Sequence, residues 1–364
     1  MKELRGLVAC ADAQVRPALV RFGAVIDSIE HQGGSRAGDY IVPGFIDLQI
    51  NGHGSIDVMT AGAPELCALS RDLAREGTTA WLPTAITSPL DRIEKVAAAV
   101  AEAIGEAAPV QDAASPARSP MSATILGMHL EGPFISAKRR GAHPAHNLEP
   151  RGDALARVMA LSALRMITLA PELPGSFEAI AAFAAHGVAV ALGHTDATLE
   201  QAEAGVAAGA RMFTHTFNAM APLDHRRPTA ATAAMLPSPA LAAVIADGVH
   251  VHPAMLRLLL RARGAGGICL TSDRVASDPA GVAQRTVDGR LMGSAISMRE
   301  AMKLMVERAG ASVGEAALMA ATNPARVLGL GDRGCIESGG VADLLVLGRR
   351  LELKAVFVGG RELT

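Results

Sequence analysis

A chain of 364 residues exceeds what one ordinary core needs, yet a (β/α)8 barrel organises about 250 residues into one domain, so a barrel with a smaller appendage is expected. Half the residues are hydrophobic, enough for a sizeable core, while aromatics are only 3%, too few for obvious base-stacking or sugar-stacking surfaces. The net charge of −2 and the scatter of Lys and Arg argue against nucleic acid or an acidic membrane as a partner.

Residues 1 to about 42 hold short β-type runs, such as 18–22 and 24–26, broken by turn signals at Gly33-Gly34 and Gly38-Asp39. The N-terminus has no apolar leader, and no window approaches about 18 uninterrupted apolar residues, so a cytoplasmic, membrane-free location is expected. From residue 43 onward, apolar runs of strand length alternate with alanine-rich helical stretches, the pattern of a parallel α/β fold. Strands are expected at 45–49, 78–84, 123–128, 166–170, 188–193, 212–215, 243–247 and 267–273, with early helices near 63–76 and 89–106. That is the number a closed barrel needs. The segment 107–120 is low in complexity and reads as an exposed, mobile loop. The far end returns to β character at 341–347 and 354–358, so residues 1–42 and 334–364 are expected to form one small β domain around a barrel spanning 43–333. Cys10, Cys67, Cys269 and Cys335 lie far apart without CxxC spacing and read as reduced, packed thiols.

Nearly every expected strand ends on polar residues: Gln49 and Asn51, Thr84, Glu131, Glu172, His194, His215, His250 and Asp273. Barrel active sites gather at the C-terminal strand ends, where side chains from separate strands converge. The strongest stretch is His129-Leu130-Glu131-Gly132-Pro133-Phe134, followed by Gly141-Ala142-His143. A carboxylate ending a buried strand persists when it is paired or holds a metal. Glu131, His194 and His215, from three strand ends, form the ligand set of a catalytic zinc with a position left for water. Iron, cobalt or manganese could occupy the same set. Binding would lower the pKa of that water toward about 7. Asp273, ending Thr271-Ser272-Asp273, can accept the water's proton and return it to a leaving nitrogen; on its own the residue reads equally as a helix N-cap. His143 could donate to a substrate carbonyl, and His250 is a better ligand-contact candidate than His252. Arg226 and Arg227 read either as a solvated surface pair or as an anion site at the barrel mouth.

Together these residues resemble the N-acetylglucosamine-6-phosphate deacetylase family of the amidohydrolase superfamily. The likeness runs from Val42-Pro43-Gly44-Phe45-Ile46-Asp47 through HLEGPF, GAH, GHTDA, THTFNAM, ADGVHVHP and TSD to Asn323-Pro324-Ala325-Arg326 and Ala342-Asp343-Leu344, almost the whole chain in order. The resemblance implies a distorted barrel with a β-sandwich built from both chain ends, in a homodimer whose partner subunit can complete the phosphate pocket. It implies that Glu131, His194 and His215 hold one divalent metal, that Asp273 is base and then acid, and that His143 polarises the acetyl carbonyl. Asn218, the backbone of Ala219, Arg226 and His250 would hold the phosphorylated amino sugar. Gln49-Ile50-Asn51 stands where many amidohydrolases carry His-x-His, which implies a one-metal site with Gln49 and Asn51 beside it. Arg274 follows Asp273 where the family has a small residue, and is expected to bear on substrate preference. The alternatives are the galactosamine 6-phosphate epimer as substrate, another amidohydrolase acting on acylated amines, or a metal-free scaffold.

Overall fold

The structure is a computed structural model that describes residues 1–32, 38–107, 121–276, 289 and 291–363. The Gly33-Gly34 turn signal and all but the first residue of the 107–120 segment lie outside the described residues.

The apolar runs in the middle of the chain pair in sequence order as eight parallel strands: Phe45–Ile50, Thr78–Ile86, Met128–Glu131, Leu164–Leu169, Ala189–Leu192, Met212–Phe213, Leu241–Val244 and Ile268–Leu270. A bridge between Ile50 and Arg274 brings the first strand against the segment leaving the eighth, so the barrel is nearly closed. These strands are apolar on both faces because both faces are covered, and alternation divides them. Ile46, Leu48, Ala80, Leu82, Met166, Met212 and Cys269 form one cluster with Val327 and Leu328, residues of the helix Asn323–Leu328. This is the barrel interior, plugged from below. Phe45, Trp81, Leu130, Ile167, Val190 and Phe213 turn the other way and pack on helix residues such as Leu66, Leu69, Ile180 and Leu256.

The first helix, Ala63–Arg75, shows how the outer layer is seated. Pro64 suits its first turn, and the Glu65 carboxylate accepts the Gly62 N–H at 3.0 Å. Its Leu66, Leu69 and Leu73 share the buried face, and Ser70 on that face accepts the Trp81 indole N–H at 2.9 Å. Below the eighth strand, the Asn323 amide donates to the carbonyls of Ala265 and Ile268 at 2.8 and 2.6 Å, fixing the plug helix.

The two chain ends meet in one seven-stranded sheet, in the order Arg361–Glu362, Leu353–Val358, Leu344–Leu347, Tyr40–Pro43, Lys2–Ala9, Val15–Phe22 and Ile26–His31. Alternation again sorts its faces. Val8, Val20, Phe22, Ile41, Leu344 and Phe357 share a small core of their own, while Ala9, Val42, Leu345, Val356 and Val358 join the large cluster of the barrel. The sheet is therefore fastened to the barrel, and it leaves the opposite, C-terminal rim of the strands clear for the site.

Candidate active site

Glu131 closes the third strand, and Gly132-Pro133 turns the chain immediately, leaving the carboxylate at the rim. His194 and His215 each stand two residues past the ends of the fifth and sixth strands. The fold brings the three together. Glu131 Oε1 lies 2.8 Å from His215 Nε2 and 3.1 Å from His194 Nε2, and the two Nε2 atoms are 3.1 Å apart. All three side chains are buried.

The hydrogen bonding behind His194 fixes its tautomer. Its Nδ1 is 2.9 Å from the Arg139 carbonyl, which can only accept, so Nδ1 carries the proton and Nε2 keeps a lone pair. That lone pair is aimed at a carboxylate oxygen and a second imidazole, an acceptor-rich cluster that a cation would satisfy. The three ligand atoms lie within 4.8 Å of one another and suit a divalent metal in a site with room for water. Burial would raise the Glu131 carboxyl, but the rings of His194, His143 and His215 hold it well below its ordinary value. Burial, with the neighbouring His143, drops His194 to about 4. Burial opposes the charging of His215 as well, yet its hydrogen bond to Glu131 and that carboxylate's charge lift it to about 9. A proton shared by His215 and Glu131 thus competes with a cation for the same lone pairs.

Asp273 lies three residues beyond the eighth strand and lines the same cavity of about 400 Å³. Burial, then the Glu131 charge, pushes it up to about 7. The Asn51 amide donates to Asp273 Oδ1 at 2.8 Å, and the Gln49 amide donates to Glu131 Oε1 at 2.9 Å. The oxygens of both amides are buried and unpartnered, so each side chain is held by the group it serves rather than by a second bond. His143 enters from the loop after Glu131, with Nε2 3.2 Å from Glu131 Oε2 and Nδ1 2.9 Å from the Thr87 hydroxyl.

The backbone of the site is strained. His194, His215 and Asp273 have φ of 48°, 27° and 49°, and Phe217 and Ala219 have 79° and 49°. Such left-handed conformations cost side chains of this kind of order 1–3 kcal/mol each. Five of the seven such non-glycine residues among those described are at this rim, so the strain is concentrated where the chemistry would be. Gly193 is required for a different reason. A Cβ there would sit 2.7 Å from Thr214 Cβ and 2.9 Å from Thr168 Cγ2, while those two threonines share a hydroxyl bond of 2.7 Å.

Sequence reasoning overlooked the layer beneath. His129 Nδ1 donates to the Leu48 carbonyl at 2.9 Å, and Nε2 accepts from Thr168 Oγ1 at 2.8 Å. Burial drops this ring to about 4, so it stays neutral and ties strands together below the ligands. Its one sequence signal was alternation, since residue 129 faces inward whenever 131 does. Thr87 had no comparable signal.

Of the expected substrate contacts, Asn218, Ala219 and His250 line the cavity. His250 is held by Asp247, whose Oδ2 lies 2.6 Å from Nδ1 and whose Oδ1 accepts the Val249 and His250 amides at 2.8 and 2.7 Å. His252 caps the helix Pro253–Arg263, accepting the Ala254 N–H at 3.2 Å. Arg226 is on an exposed loop outside the lining, its N–H bonded to Asp224 at 2.8 Å. Arg274, expected to bear on the substrate, is turned away: its guanidinium pairs with Glu76, and it too is absent from the lining.

The amidohydrolase family model matches residues 40–363. N-acetylglucosamine-6-phosphate deacetylase of Bos taurus is 37% identical over 355 residues, covering 89% of this chain and 83% of that protein. N-acetylgalactosamine-6-phosphate deacetylase of Escherichia coli O157:H7 is 32% identical over 358 residues, covering 93% and 91%. The solved structure of a mutant of N-acetyl-D-glucosamine-6-phosphate deacetylase from Mycobacterium smegmatis, in complex with N-acetyl-D-glucosamine-6-phosphate, superimposes with a TM-score of 0.88 at 28% identity, covering 99% and 98%.

Proposed function

The chain belongs to the amidohydrolase family, and from that premise we propose that it hydrolyses the N-acetyl amide of N-acetylglucosamine 6-phosphate to glucosamine 6-phosphate and acetate. The observation that carries this reading is the convergence of Glu131, His194 and His215 in a cavity that Asp273 also lines. Glu131, His194 and His215 would hold the metal, with zinc the first choice on an oxygen and two imidazole nitrogens, ahead of iron, cobalt or manganese. When bound, the metal supplies Lewis acidity that activates water and polarises the amide carbonyl.

The chain's own residues do the rest. Asp273, oriented through Oδ1 by Asn51, takes the proton from the attacking water and returns it to the departing nitrogen. In the metal-free chain burial and the Glu131 charge raise this carboxyl to about 7, and a metal held by Glu131 would lower it from there. His143 donates from Nε2 toward the developing oxyanion, while Thr87 holds its other nitrogen. Asn218, the Ala219 backbone and His250 orient the sugar phosphate from the cavity wall, and Arg226 pairs with the phosphate from the rim loop. Residues 1–42 and 334–364 are taken as the small β domain, and 43–333 as the hydrolase barrel. The same reading makes the protein a cytoplasmic homodimer. Four cysteines outside any disulfide fit a reducing compartment.

Acetate release from N-acetylglucosamine 6-phosphate, its unphosphorylated form and the galactosamine epimer, before and after chelation, tests the proposal. Turnover of the phosphorylated sugar that is lost with the metal and restored by zinc is the expected result. Equal rates without the phosphate, or no dependence on metal, would overturn it. The second reading, preference for the galactosamine epimer, is favoured by the E. coli relative named for that substrate, and the same series decides it.

A further inference from the structure

We propose that Asp196 and Arg139 are positioning residues for His194: their ion pair holds the Arg139 carbonyl where it fixes the His194 tautomer. The inference rests on reading Glu131, His194 and His215 as the metal site.

The short turn Ala137–Arg139 and the residue before it grip His194 twice. The Ser136 N–H donates to the His194 carbonyl at 2.9 Å, and the Arg139 carbonyl accepts His194 Nδ1–H at 2.9 Å. Both of those contacts use backbone atoms of the turn, and a side-chain contact adds to them. It comes from Asp196, two residues past His194, whose Oδ1 accepts Arg139 Nε at 2.8 Å. Asp196 is itself fixed, because Glu172 accepts its N–H at 2.6 Å and the neighbouring Thr195 hydroxyl at 2.5 Å. A closed ring results: His194 to Asp196 along the chain, Asp196 to the Arg139 side chain, and the Arg139 carbonyl back to the imidazole. The pair is about one-third and one-quarter exposed (34% and 26%), so water screens it only in part. Lys138 also reaches Asp196, at 3.2 Å, but is 79% exposed and contributes little.

The ring matters because His194 holds a left-handed backbone that no regular strand supports. If the carbonyl drifts, Nδ1–H loses its acceptor and the imidazole is free to rotate or exchange tautomer. Either change removes the Nε2 lone pair from the metal position. Outer partners of this kind typically carry about 10–100-fold in metal affinity.

Zinc affinity, measured by competition with a chromophoric chelator on the full-length protein, tests this independently of turnover. Asp196→Ala and Arg139→Ala should each weaken zinc binding at least about 10-fold. The milder Asp196→Asn and Arg139→Lys should retain part of that affinity, guarding against a variant that fails to fold. The double variant should bind no worse than either single one, as expected for two members of one unit, and Lys138→Ala should match the unaltered protein. Unaltered zinc affinity in folded Asp196→Ala and Arg139→Ala, or additive losses in the double variant, would overturn the inference. Absence of zinc binding by the unaltered protein would overturn the metal-site reading itself, so the two failures are distinguishable.

Discussion

The floor and the mouth of the barrel are made by the same strands and differ by two residues along each. Leu82, Met166 and Met212 face inward at the floor and meet Val327 and Leu328; two positions on stand Thr84, Thr168 and Thr214, and then the rim. The floor is apolar, and its non-glycine residues have no left-handed backbone. The mouth holds unpartnered amide oxygens, positive φ at His194, His215 and Asp273, and His194 drawn down to about 4. One region contributes stability and the other spends it on geometry, so substitutions in the two should separate stability from rate.

The largest effect is expected at the mouth. Asp273→Asn should lower kcat by about 10²–10⁴-fold with zinc content unchanged, read by acetate release and metal analysis. Its stability should rise instead. The folded carboxyl titrates near 7 against an ordinary 3.8, so ionising it opposes folding, and stability of the metal-free protein falls as pH rises across that interval. An amide at this position cannot ionise and removes that loss, so thermal melts of the metal-free variant at pH 5 and 8 should differ less than those of the parent.

At the floor the order reverses. Leu82→Ala should cost about 2–5 kcal/mol in denaturant unfolding while the folded fraction keeps its kcat. A large loss of rate per folded molecule would break the comparison.

Gly193→Ala falls on the border, where a methyl would collide with Thr168 and Thr214, and should cost about 1–3 kcal/mol and weaken zinc binding as well. The smallest effect is graded. With zinc bound to Glu131, that carboxylate's charge is offset, so the acid limb of kcat/KM should lie below pH 7, the rate falling as Asp273 takes up its proton. A limb above pH 7 would mean that another group acts as base.

Much of the fold and the nucleus of the site were legible in the sequence. The eight apolar runs, their polar ends and the β character of both termini are properties of neighbouring residues, set by local alternation and side-chain type. So are the candidate ligands, because few side chains other than an inward Glu or His at a strand end offer a lone pair to a metal. Contacts between distant positions were not legible. The His194 tautomer is set by a carbonyl 55 positions away, and Glu131 is met by Gln49 across 82 positions. Arg274 adjoins Asp273 in the chain, yet its side chain reaches Glu76 across 198 positions and leaves the cavity. A sequence therefore specifies which groups can bind a metal or move a proton. Only the folded chain decides which lone pair faces which neighbour, because that orientation is enforced by partners drawn from separate strands and loops.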